Sequence, residues 1–167
     1  RRFVEPPEDE HTQLNYTTTG TILHNLLARI KDYTEVEKVL NEFVQDGLLN
    51  ETDSELNREK LSSLVRSRIE TNKNTIVNRW FSVEVDVFNE CTLIGYGDNR
   101  GVTREFRPDR VVKDGNLITV IDYKFGSKQD DHTRQVKKYI ELLSQMGYDN
   151  VRGYLWYVYK NEINEVS

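Results

Sequence analysis

Several kinds of residue are scarce in this 167-residue chain, and each scarcity removes a class of protein. Cys91 is the only cysteine, so no internal disulfide can form, and the four thiolates of an iron–sulfur cluster are out of reach. A reducing cytoplasm suits that usage. Three prolines and nine glycines occur without any biased run, which excludes fibrous and low-complexity architectures. No apolar stretch approaches the roughly 20 residues that cross a bilayer, and the opening Arg1-Arg2-Phe3-Val4-Glu5-Pro6-Pro7 has no apolar signal-peptide core. No Gly-x-x-x-x-Gly-Lys-Ser/Thr loop occurs, so any nucleotide-driven motor is expected on another segment or chain. Positive charge is short as well: the net charge of -5 argues against holding nucleic acid by bulk electrostatics alone.

What remains is the composition of a globule, 37% apolar and 31% charged, at a length that buries one core. A single domain over residues 1–167 is expected, mainly helical over 1–80 and sheet-forming over 81–167. Because the first residue is Arg rather than Met, the chain is expected to be a piece of a longer polypeptide. The charge is uneven. Residues 1–99 hold 11 Lys and Arg against 18 Asp and Glu, residues 100–138 hold 10 against 6, and residues 139–167 hold 2 against 4.

After a polar lead of about fifteen residues read as extended, Thr19-Gly20 opens a helical stripe of Ile22, Leu23, Leu26, Leu27 and Ile30. Glu35–Asp46, stopped by Gly47, reads as a second helix, Ser54–Glu70 as a third and Thr71–Trp80 as a short fourth. From Phe81 the period becomes two, with Phe81, Val83, Val85 and Val87 alternating with Ser82, Glu84, Asp86 and Phe88. Strands over Glu105–Val112 and Asn116–Phe125 flank an Asp114-Gly115 hairpin signal. A helix over Asp130–Met146 and an aromatic-rich strand over Val151–Tyr159 complete the pattern: helices, three or four strands, helix, strand.

If Asp114 and Gly115 are the central residues of the turn, Lys113 pairs with Asn116, Asp109 faces Val120 and Arg107 faces Asp122. Asp109, Val120, Asp122 and Lys124 then share one sheet face. The two aspartates become diagonal neighbours with Cα atoms about 7–8 Å apart, close enough for their side chains to close on one cation. Leu117–Ile121 is apolar on both faces and reads as a central strand, at whose end a charge must be paired or metal-bound. By themselves these residues fit an ordinary ion pair as well as a cation site.

The runs Arg107-Pro108-Asp109-Arg110-Val111-Val112 and Val120-Ile121-Asp122-Tyr123-Lys124 resemble the PD-(D/E)xK nuclease motif, with a literal Pro-Asp and Asp-Tyr-Lys. The nearest likeness is to RecB-family nuclease domains, as at the C-termini of RecBCD- and AddAB-type helicase–nucleases. Gly20-Thr21-Ile22-Leu23-His24 resembles that family's helical Gly-x-x-x-His, and Gln135-Val136-Lys137-Lys138-Tyr139 its Gln-x-x-x-Tyr. Glu84 stands where an acidic residue often lies on the preceding strand.

The resemblance implies an α/β restriction-endonuclease-like core, a mixed central sheet flanked by helices, with a helical N-terminal half. It implies a deoxyribonuclease, an exonuclease in type, working with a helicase motor in recombination and repair in a bacterial or phage cytoplasm. Asp109, Asp122 and Lys124 would be catalytic, and one or two Mg²⁺ or Mn²⁺ ions would be held by His24, Asp109, Asp122 and the Tyr123 carbonyl. Glu84, Gln135, Tyr139, Arg107 and Lys128 would support the site or touch DNA. Arg104, Arg110, Arg134, Lys137 and Lys138 are further candidates for steering a phosphate backbone, or a solvated face. Core packing explains Tyr139 equally well, and His24 lies at the margin of its apolar stripe. Rival readings are a catalytically silent module that guides a strand, and a structural domain docked through its acidic half.

Overall fold

A computed structural model describes residues 10–70, 75–89, 91–96, 103–126 and 128–167. The chain divides into two compact units that meet between Glu84 and Val85, four residues beyond the division expected from the pattern. The expected extended lead and the start of the fourth helix fall partly on residues 1–9 and 71–74, outside the described residues.

The helical unit begins with α1, Glu10–Arg29, which starts nine residues before the expected Thr19. Its buried stripe of Ile22, Leu23, Leu26, Leu27 and Ile30 lies in the second half. Extending a helix that is already nucleated fixes one residue per hydrogen bond gained, so the helix can run N-terminally beyond the stripe. A single 3₁₀ turn, Tyr33–Glu35, is capped by the Asp32 carboxylate, which accepts the Thr34 N–H at 2.9 Å. Helix α2, Val36–Gln45, buries Val36, Val39, Leu40 and Phe43. Helix α3, Arg58–Glu70, starts four residues later than expected because Asp53 and Asn57 draw the chain into a turn. Asp53 accepts the Glu55 and Leu56 amides and Asn57 accepts that of Lys60, the side-chain capping that competes with helix. Glu37 of α2 binds Ser62, Arg58 and Arg66 of α3, and the Ser62 hydroxyl, followed by Arg66, holds its carboxyl below the usual carboxylate range. Helix α4 is Thr75–Trp80.

Phe81 is not in a strand. Its amide still donates to Val77 at 3.3 Å and its ring is fully buried beside the end of α4, so the expected strand begins only at Asp86. A bulky apolar residue that alternates in sequence can equally close a helix, and periodicity over four positions does not separate the two.

The sheet unit has strands β1 (Asp86–Asn89), β4 (Arg110–Asp114), β5 (Leu117–Lys124), β6 (Val151–Tyr157) and β7 (Glu162–Val166) in the order β1-β4-β5-β6-β7. Among the described residues only β5 and β6 run parallel, joined through helix α5 (Asp130–Gln145). A separate hairpin pairs β2 (Leu93–Tyr96) with β3 (Thr103–Phe106). The fold is thus a mixed α/β one, with a mostly antiparallel central sheet and α5 packed on one face.

Two expectations about strands are corrected, and one strand is added. The run Glu105–Val112 is broken at Arg107-Pro108-Asp109, because Pro108 has no N–H for a ladder and β3 leaves for its own hairpin. The β4–β5 turn is centred on Gly115 and Asn116, not on Asp114 and Gly115, since Asp114 pairs with Leu117. Gly115 has φ 60°, whereas Asn116 has negative φ, the type II′ pattern in which glycine takes the first central position. Strand β7 was not expected; it returns through Asn161, whose φ of 55° is one that asparagine tolerates better than most residues.

Strand β5 is buried along its middle, from Ile118 to Tyr123. Its Ile118 and Val120 join Val111, Leu155 and the α5 residues Val136, Tyr139, Leu142 and Leu143 in one apolar cluster. The opposite face carries Ile121, Tyr123, Tyr154 and Trp156, all buried, with Tyr123 and Trp156 in edge contact at 5.9 Å. Helix α5 lies close over Gly153 of β6, where a Cβ would stand 2.6 Å from both Val136 and Ile140. Gly153→Val should therefore lift α5 and cost about 1–3 kcal/mol by overpacking, read as a lower thermal midpoint with secondary structure retained; an unchanged midpoint would show that α5 repacks freely.

Candidate active site

The site lies where β4 enters the sheet and β5 leaves its buried core, on the face covered by α5. Extending the β4–β5 register one step past Arg110 and Ile121 sets Asp109 directly opposite Asp122, rather than opposite Val120. The shared face survives this correction, because moving the turn by one residue shifts the pairing by two positions.

The backbone binds each carboxylate to the other strand. The Asp109 amide donates to Asp122 Oδ1 at 3.4 Å, and the Tyr123 amide donates to Asp109 Oδ2 at 2.8 Å. Asp122 is 2% exposed. Burial first, and the Asp109 charge second, push its carboxyl up to about 6, against the partial relief of Lys124. The Lys124 ammonium lies 3.2 Å from Asp122 Oδ2, and Gln135 of α5 accepts a hydrogen bond from it at 3.3 Å. Tyr139, one helical turn on, is buried and donates its hydroxyl to the Arg107 carbonyl at 3.4 Å, tying α5 to the segment before Asp109. Its phenol is held above the usual range, mainly by burial and next by the Asp122 and Asp109 charges.

The other expected residues are placed differently. Glu84 is on no strand; it is exposed in the turn before β1 and pairs with Arg79 at 2.5 Å within the helical unit. Arg107 is exposed beside Glu105 at 3.5 Å, and Lys128 is engaged by Glu162 and lies 5.6 Å from the Tyr157 ring. Arg110 is no surface cation: it is completely buried on the far face of the sheet, 3.2 Å from Asn89, as the alternation after Asp109 requires. His24 is half-buried on α1 in the helical unit, whereas Asp109, Asp122, Tyr123 and Lys124 all belong to the sheet unit.

His132 was missed. Its Nδ1 is 3.2 Å from the Tyr157 hydroxyl, and its pKa is lowered by burial and then by Lys124. The signal was present in its spacing, since a residue three before Gln135 shares that helical face.

Two carboxylates facing one ammonium across a buried strand pair leave negative charge in excess, and an all-oxygen donor set suits a hard divalent cation. Asp109, Asp122 and the Tyr123 carbonyl are the groups of this unit that could hold one. Among the described residues no group of three or more His, Cys, Asp or Glu side chains is gathered.

Pro108-Asp109 thus stands at the break before β4, and Asp122-Tyr123-Lys124 at the end of β5. The model of the PD-(D/E)XK nuclease superfamily matches residues 1–166. The chain belongs to that superfamily. No curated protein matches it. In this PD-(D/E)XK nuclease the buried acid carries a stability cost. With its pKa raised from 3.8 to about 6, the folded state holds the Asp122 proton over that interval, so stability contributed by the neutral acid is lost as pH climbs from about 4 to 6. Asp122→Asn should accordingly stabilise the metal-free protein at pH 7 by about 1–3 kcal/mol, read as a higher thermal midpoint, and the gain should vanish near pH 4. A lower midpoint at pH 7 would show that the Lys124 pairing outweighs the strain.

Proposed function

We propose that this PD-(D/E)XK nuclease is a Mg²⁺- or Mn²⁺-dependent deoxyribonuclease, an exonuclease of the RecB type that works beside a helicase motor in DNA recombination and repair. The observation that carries the reading is the crossed pair Asp109–Asp122 with Lys124 at its edge. A divalent cation bound by these carboxylates would acidify a water molecule and offset the charge that develops on phosphate oxygens. Asp109 and Asp122 would hold such an ion, and His24 would be a further ligand on the strength of the family resemblance alone. Lys124, steadied by Gln135, orients the attacking water and accompanies the negative charge at phosphorus. In the reaction the water oxygen bonds to phosphorus, the bond from phosphorus to one sugar oxygen breaks, and that oxygen leaves with a proton. Tyr139 supports the scaffold by fixing the Arg107 carbonyl, and so the approach to Asp109.

The acidic balance of the chain supports delivery of the strand by a partner, since a net charge of -5 gives little attraction for DNA at a distance. Labelled linear DNA, single- and double-stranded, tests the reading with Mg²⁺, Mn²⁺ or EDTA. Metal-dependent cleavage should fall at least a hundredfold in Lys124→Ala while the rise in thermal midpoint on adding Mn²⁺ persists. Asp109→Asn and Asp122→Asn should lose both cleavage and the Mn²⁺ effect, and His24→Ala should weaken the Mn²⁺ effect. DNA binding without cleavage under any metal would instead favour a silent module that guides a strand.

A further inference from the structure

We propose that the cleft between the end of β3 and the first half of α5 seats the DNA backbone beside the scissile phosphate, with Arg104, Arg134 and Lys138 as its phosphate contacts. The proposal rests on the nuclease reading for its ligand. The cleft has a volume of about 880 Å³, and its walls come entirely from the sheet unit. It is continuous with the site, because Gln135 and Tyr139 line it while also reaching Lys124 and the Arg107 carbonyl.

Charge selects the ligand. Four cations line the cleft, Arg107 being the fourth, against the carboxylates of Glu105 and Asp131, in a chain whose overall balance is acidic. Both carboxylates sit in solvent-exposed pairs, Arg107–Glu105 at 3.5 Å and Arg134–Asp131 at 3.6 Å, with every partner at least 65% exposed. Such pairs hold weakly and give way to a phosphate at little cost. Arg104 and Lys138 are both drawn to Phe106, at 5.7 and 5.8 Å from its ring centroid. Two like charges gathered at one ring favour an anion between them. Basic side chains along a groove with an aromatic ring among them form the arrangement that follows a nucleic-acid strand without reading its bases.

The test measures binding of a fluorescein-labelled single-stranded oligonucleotide in EDTA by anisotropy across a salt series, so that it reads the cleft without cleavage. Arg104→Gln/Arg134→Gln is compared with Lys113→Gln/Arg152→Gln, two exposed cations of the same unit that do not line the cleft. The cleft pair should weaken binding at least fivefold and flatten the salt dependence by about 1.4, two contacts at roughly 0.7 each on a single strand, while the control pair changes affinity less than twofold. Equal losses in both pairs, or none from the cleft pair, would overturn the proposal. Cleavage by the parent protein with no loss from the cleft pair sinks the cleft and spares the nuclease. Loss of binding from the cleft pair with no cleavage by the parent does the opposite.

Discussion

Two acids placed face to face at the edge of a buried sheet repel each other, and the local structure is arranged around keeping them there. The Asp109 and Tyr123 amides cross between β4 and β5 to hold one oxygen of each carboxylate. Those amides are available because Pro108 ends the strand pairing and leaves Asp109 outside the regular ladder. Burial of Asp122 sharpens the conflict: a carboxylate at 2% exposure, next to another acid, is held up to about 6. Charge strain of this kind is typical of functional sites, where a ligand resolves what the empty fold cannot.

Helix α5 supplies the surroundings of this pair. Its apolar side, Val136, Tyr139, Leu142 and Leu143, packs on β5 and β6 and fixes the helix against the strand that carries Asp122. Its next face presents Gln135 to Lys124 and the Tyr139 hydroxyl to the Arg107 carbonyl. Packing and chemistry are therefore coupled through one helix. Gly153 sets how closely that helix lies on the sheet, so a methyl group there acts on the position of Gln135 as well as on stability.

Much of this was legible in the sequence because it depends on parity. The turn expected at Asp114-Gly115 forms at Gly115-Asn116, yet Asp109, Asp122 and Lys124 stay on one face, since an error of one turn position moves the partner by two. The helix stops and the core stripe of α1 were legible for a similar reason, being repeated over several turns. What failed was short or ambiguous. Phe81 and Val83 continue an alternation by chance while the chain is still closing α4. The break between β3 and β4 was announced by Pro108 but overridden by the apolar run around it. Strand β7, reading Glu-Ile-Asn-Glu-Val, has too few β-formers to stand out. The burial of Arg110 was readable from its place next to Asp109, and a preference for counting cations as surface obscured it.

The central claim is that the Asp109–Asp122 pair is a divalent-cation site. The most direct measurement is the amide spectrum of ¹⁵N-labelled protein during a substoichiometric Mn²⁺ titration, because the paramagnetic ion broadens only nearby resonances. The Asp109, Asp122, Tyr123 and Lys124 amides should disappear first. Broadening confined to the acidic residues of the helical unit, with these four amides unchanged, would contradict the account.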